Sequence, residues 1–151
     1  MQSIAEELLF RGCVFDNLLG SFTLTKSCFI QAIIFSFVHL LNGSASVILF
    51  LTLIFFGLLM VLFRIIVNNL FLSSGFHFVW NCLPSLLLGI NVSGIEIPFS
   101  IFKLRISGHE FYTGGDFGIE GSLIVLLIFI FLTVSIYTRY RKNISYYYKK
   151  F

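Results

Sequence analysis

Long apolar runs alternate with short polar breaks along this chain. Residues 44–63 and 121–138 are predominantly apolar over the stretch of about 20 residues that crosses a bilayer. The pattern predicts a first helix over residues 3–19. It opens on Ser3-x-x-Glu6, the spacing of a capping box with Ser3 as N-cap and Glu6 at N3. It also carries Arg11 and Asp16, so a full crossing is not expected of it. Residues 20–25 form a break. A second helix follows over 26–41 and stops at Asn42-Gly43. A third, over 44–67, is apolar all round and reads as a membrane span; Asn68-Asn69 marks the turn after it. The fourth covers 70–88, with Pro84 expected to kink it. Residues 91–120 form the long polar stretch, read as an extramembrane loop with a short hairpin around IPFSIFKLRI. A fifth helix over 121–137 is the last span. The expected fold is all-α, a polytopic membrane bundle of about five helices in one domain, residues 1–151, with a basic tail at 139–151.

Composition agrees with a lipid setting. The 151 residues are 58% hydrophobic and 11% charged, with 20 phenylalanines, and the mean hydropathy is +0.97. No Asp, Glu, Lys or Arg occurs between Lys26 and Arg64. Glu6 and Glu7 sit where a secretory signal would carry positive charge. The net charge of +3 comes largely from Arg139, Arg141, Lys142, Lys149 and Lys150. A basic cluster abutting an apolar span places the tail on the cytoplasmic side and makes a topology anchor of it, not a nucleic-acid patch. Alternation from there puts the long loop outside. The three cysteines, Cys13, Cys28 and Cys82, form no CxxC pair and read as small apolar fillers.

Three places break the apolar pattern. Glu6-Glu7 is followed by Arg11, His39 ends FSFVH, and FLSSGFHFVWNCL holds His77 and Asn81. His77 and Asn81 are i,i+4 and share a helix face, as do Glu7 and Arg11. A charged group at the centre of a membrane helix costs about 2.5–3.5 kcal/mol. Such groups are expected to converge on one buried polar site. A carboxylate beside an imidazole can take a proton from water. A second imidazole with an amide can hold an oxyanion. Two histidines and a glutamate also form a hydrolytic zinc set, although no HExxH is present. Blander roles stand beside these. Glu6 could serve only as a helix cap, and a membrane histidine only as a packing residue. His77 with Asn81 could be interhelical glue, and Cys13 a thiol nucleophile if a histidine lies near. His109 lies in the polar loop and needs no special role. The helix positions raise a difficulty: His77 falls near mid-depth and His39 near the outer end, so they meet only if the helices tilt or the cavity is deep.

Taken together, EELLFRG at 6–12, FSFVH at 35–39 and HFVWN at 77–81 fit EExxxR, FxxxH and HxxxN. In this order they resemble the three motifs of the CPBP (Abi) family of intramembrane proteases. That family includes the type II CAAX prenyl endopeptidases and relatives of lysostaphin resistance protein A. GGDFGIEGS at 114–122 resembles a segment that many bacterial members carry before their last helix. The resemblance implies an intramembrane endopeptidase of a cytoplasmic membrane. Glu6 would be the base acting on water, with His39 assisting, and His77 and Asn81 would form the oxyanion site. Glu7 and Arg11 would support the site. It implies no required cofactor; in the alternative, a divalent metal such as zinc would be held by Glu6, His39 and His77. The substrate would be a hydrophobic or lipidated peptide among membrane lipids. Members usually carry helices before EExxxR, so the chain reads as N-terminally short, and a membrane partner or second copy is conceivable. The rival function is a non-catalytic peptide-binding protein, as in bacteriocin self-immunity. A packing subunit with no site is the third.

Overall fold

The computed structural model describes residues 1–41, 46–94 and 98–148, the side chains of 143 and 145–148 excepted. Helix α1 (Gln2–Glu7) runs without a break through a π-helical segment, Leu8–Val14, into α2 (Phe15–Leu19). Then come α3 (Leu24–Leu40) and α4 (Val47–Val67). Helix α5 (Phe71–Cys82) continues as a π-helical turn, Leu83–Leu87. Short α6 (Glu110–Thr113) and the 3-10 turns Gly115–Phe117 and Ile119–Gly121 lead into α7 (Leu123–Tyr148). No strand occurs among the described residues, and the fold is an all-α bundle. Two helices are long and apolar enough to cross a membrane, Val47–Val67 and the Leu123–Lys142 part of α7; α3 is apolar but shorter.

Helix α4 is the central rod, packed against α3 on one side and α7 on the other. Its contact with α3 depends on small residues. A Cβ at Gly57 would fall 3.1 Å from both Cα and Cβ of Ala32, so glycine lets the two backbones approach closely, a common device between membrane helices. Gln31 reaches across to donate to the Gly57 carbonyl at 3.1 Å. Across the other interface Thr133 donates to the Phe55 carbonyl at 3.3 Å. The core between the rods is rich in phenylalanine: Phe10, Phe35, Phe56, Phe117 and Phe129 are all buried.

Several local expectations need correction. Ser3 is not a cap. The helix starts a residue earlier, its N-cap is Met1, and Ser3 is buried with its hydroxyl engaged by Asn81. No hairpin forms over residues 98–106, because N–H groups there pair with the carbonyls that end the helix of Leu83–Leu87. Helix α7 does not stop near Tyr137 but carries the first basic residues on to Tyr148. Cys13 is exposed and no filler, while Cys28 and Cys82 are half-buried. Pro84 sits in the π-helical turn, whose wider hydrogen-bond spacing relieves the ring. The Asn68-Asn69 turn forms as its residue types dictate: Asn68 is left-handed at φ 55°, and the Asn69 carboxamide accepts from the Phe71 N–H at 2.9 Å. The Asn42-Gly43 stop lies outside the described residues.

Candidate active site

The polar residues that interrupt three separate helices meet in one buried cluster. At its centre Glu6 Oε2 lies 3.4 Å from His39 Nε2 and 3.6 Å from His77 Nε2. The other nitrogen of each ring is anchored. His39 Nδ1 is 2.9 Å from the Phe35 carbonyl. A carbonyl only accepts, so Nδ1 carries the hydrogen and a neutral ring turns the Nε2 lone pair toward Glu6. His77 Nδ1 is 2.8 Å from Glu7 Oε1, and an ionised Glu7 imposes the same tautomer. Three electron-rich atoms thus converge on one point. Glu6 Oε2 is buried and has no hydrogen bond there.

A second layer fixes this point. Glu6 Oε1 accepts from Gln2 Nε2 at 2.8 Å. Glu7 is fully buried and pairs with equally buried Arg11 at 3.0 Å. The Arg11 guanidinium lies 4.3 Å from the centre of the Phe35 ring, a cation–π contact that compensates part of its lost hydration. Neighbouring helix residues point about 100° apart. His77 uses that divergence: Glu7 holds one of its nitrogens and Glu6 faces the other. The expected difficulty over depth is resolved in the same way. His77 lies edge-on to Phe56 at 4.9 Å, near the middle of α4, and the Phe35 ring below His39 stacks on Phe56 at 5.9 Å. Both imidazoles therefore reach the same level.

Asn81 completes the face of α5. Its Nδ2 donates to the Ser3 hydroxyl at 3.1 Å, and the amide group has a second N–H to offer. Ser85 donates to the Asn81 carbonyl, fastening the turn after it.

Two contributors carried no clear signal in the sequence. Ser3 reads as a cap, yet it tethers Asn81. Glu120, inside the GGDFGIEGS segment, is buried and accepts from Trp80 Nε1 at 2.8 Å and from the Ser93 N–H and hydroxyl at 2.8 and 3.0 Å. Trp80 sits between His77 and Asn81 in sequence, and its ring packs 4.8 Å from Phe129. The bond therefore sets the rotation of α5 about its axis. Cys13 is exposed in a shallow hollow with Asn17 and Ser21 and is not among the groups around Glu6. His109 caps α6, accepting from the Phe111 N–H at 3.2 Å.

Among the described residues, no group of three His, Cys, Asp or Glu side chains forms a metal-holding cluster. What the cluster offers is a carboxylate, two oriented imidazoles and an amide.

A family model described as type II CAAX prenyl endopeptidase Rce1-like matches residues 1–83. That range is more than half of the chain and contains all six residues of the cluster. No curated protein and no solved structure matches the chain. The family is one of membrane-embedded proteases. By that match, the chain belongs to the Rce1-like type II CAAX prenyl endopeptidase family.

Proposed function

We propose that the protein is an intramembrane endopeptidase that hydrolyses a peptide bond in a membrane-associated or CAAX-like substrate. The observation that carries this reading is the convergence of Glu6 Oε2 with the Nε2 atoms of His39 and His77. A water beside these atoms gives one hydrogen to Glu6 and the other to a ring nitrogen. Glu6 takes the proton as the oxygen attacks the scissile carbonyl carbon. His39 orients the water and shares the developing charge. The carbonyl oxygen becomes an oxyanion, held by the free N–H of Asn81. His77, its Nδ1–H held by Glu7, accepts the second hydrogen of the water at Nε2 and steadies the attacking oxygen. When the C–N bond breaks, Glu6 returns its proton to the leaving amine. Glu7 and Arg11 are positioning residues in this scheme, and no metal or other cofactor is required.

Residues 1–151 act as one membrane-embedded domain crossing the bilayer several times, with the basic end of α7 on the cytoplasmic side. The partners are membrane lipid and a hydrophobic or lipidated peptide. The test compares cleavage of a tagged membrane peptide by wild type and by Glu6→Gln. Loss of cleavage in the variant is expected, with no response to a chelator and no stoichiometric metal in the purified protein. Equal processing by both forms would remove Glu6 as the base. An immunity phenotype that survives Glu6→Gln would point to a peptide-binding pocket instead.

A further inference from the structure

Within the stretch that reads as a polar loop, one part is not polar. Phe99, Ile101, Phe102, Leu104 and Ile106 expose 73, 74, 56, 52 and 47% of their surface. Lys103 and Arg105, also exposed, alternate with the last three. Apolar and basic residues thus alternate over 102–106, all of them exposed. A run of exposed large apolar groups on a folded protein marks a surface that meets something.

The backbone fixes where this surface stands. Ile101, Phe102 and Leu104 donate their N–H groups to the carbonyls of Leu86, Leu87 and Leu88, at 2.9, 2.9 and 3.0 Å. Those carbonyls end the fourth long helical rod, which would otherwise leave them unpaired. Gly89, at φ +69°, makes room for this. A Cβ there would fall 2.6 Å from Ser100 Oγ and 2.7 Å from the Phe102 carbonyl. The α5 helix and its π-helical turn, 12 and 5 residues, rise roughly 25 Å together at about 1.5 Å per residue. Counted from the Asn68-Asn69 turn that ends the apolar α4, that approaches the hydrocarbon thickness of about 30 Å and sets the rod's end toward the opposite membrane–water boundary. The segment cannot lie deeper. Among the described residues, the N–H groups of Lys103 and Arg105 have no backbone partner, and irregular backbone with open polar groups is not tolerated in lipid chains.

We infer that residues 99–106 are a membrane-interface shelf whose partner is the headgroup layer of an anionic phospholipid bilayer. Phe102, Leu104 and Ile106 dip toward the acyl chains, and Lys103 and Arg105 meet lipid phosphates, the division of labour seen in interfacial segments. The inference rests on the membrane embedding of the family, not on catalysis. It also gives the loop a purpose near the site, since the rod that it grips is the one carrying His77 and Asn81.

The test uses the full chain in vesicles of phosphatidylcholine and phosphatidylglycerol in equal parts. Cys13, Cys28 and Cys82 are replaced by Ala, and an environment-sensitive fluorophore is attached to Phe102→Cys or, as a control in mid-span, to Phe131→Cys. Expected are blue-shifted emission from position 102 and quenching by a shallow lipid-borne quencher. Position 131 should respond to a deep quencher. Lys103→Glu with Arg105→Glu should shift the position 102 emission back toward that in water. Water-like emission at 102 with a lipid-quenched 131 would overturn the shelf and leave the membrane reading standing. Water-like emission at both would overturn both. A shielded 102 that no lipid quencher reaches, and that opens on dilution, would assign the surface to a second copy of the chain and also overturn the shelf.

Discussion

Two halves of this molecule are held together by different physics. In one, α1, the end of α3 and α5 are joined by single directional contacts between residues far apart in sequence. Glu7 meets His77, 70 residues away, and Ser3 meets Asn81, 78 away. In the other, α4 is clasped by α3 and α7 through many apolar contacts, with Leu59, Met60 and Val61 wholly buried. A contact between a buried carboxylate and an imidazole has no substitute, because each partner left alone is an uncompensated polar group. A contact between leucine and phenylalanine is one of dozens. The polar half should therefore fail at single atoms, and the apolar half should tolerate exchange.

Substitutions can break or sharpen that contrast. Glu6→Gln changes an oxygen to an amide at the point where the imidazoles converge; peptide cleavage should fall by about 10²–10⁴ while the fold, followed by thermal unfolding in detergent, stays near wild type. A large loss of stability instead would make Glu6 structural. Glu7→Gln should do the reverse first. It leaves Arg11 charged and buried without its acid, a loss of about 3–5 kcal/mol, read from unfolding midpoints. Stability equal to wild type would show that Arg11 is satisfied by Phe35 alone. For Asn81→Ala, the proposed oxyanion role sets a fall in rate of about 10²–10³, with substrate affinity little changed; a change in affinity alone would move Asn81 into ground-state binding. Glu120→Ala strips the Trp80 and Ser93 donors of their acceptor. It should cost about 1–3 kcal/mol and slow cleavage less than any change around Glu6. At the bottom of the scale Leu59→Met, inside α4, should cost under about 1.5 kcal/mol and leave cleavage unaltered. A drop in rate there would mean that the two halves are coupled more tightly than their contacts suggest.

The same contrast governs what could be read from the sequence. The rods announce themselves, because an apolar run declares a helix wherever its partners lie; the observed α4 and the start of α7 fall within three residues of their expected positions. The cluster was legible for a similar reason. Acids, imidazoles and a guanidinium are costly in such runs, so their positions alone mark where helices must meet. What escaped was any role that depends on a third dimension for a residue ordinary in one. Ser3 fits a cap by spacing, and only the approach of α5 converts it into the holder of Asn81. Residues 102–106 alternate as a strand would, yet the carbonyls that Ile101, Phe102 and Leu104 pair with belong to a helix end remote in the pattern. Glu120 sits in a glycine-rich stretch where nothing local hints that an indole and a serine will close on it.

Trp80 is the single tryptophan of the chain, and its N–H is bonded to the Glu120 carboxylate. Indole emission from the unlabelled protein, excited at wavelengths its six tyrosines do not absorb, therefore originates at one address, within a helical turn of both His77 and Asn81. A lipid change, an added peptide or a distant mutation that turns the helix should register as a colour shift. The protein carries its own optical gauge of whether its chemistry is aligned.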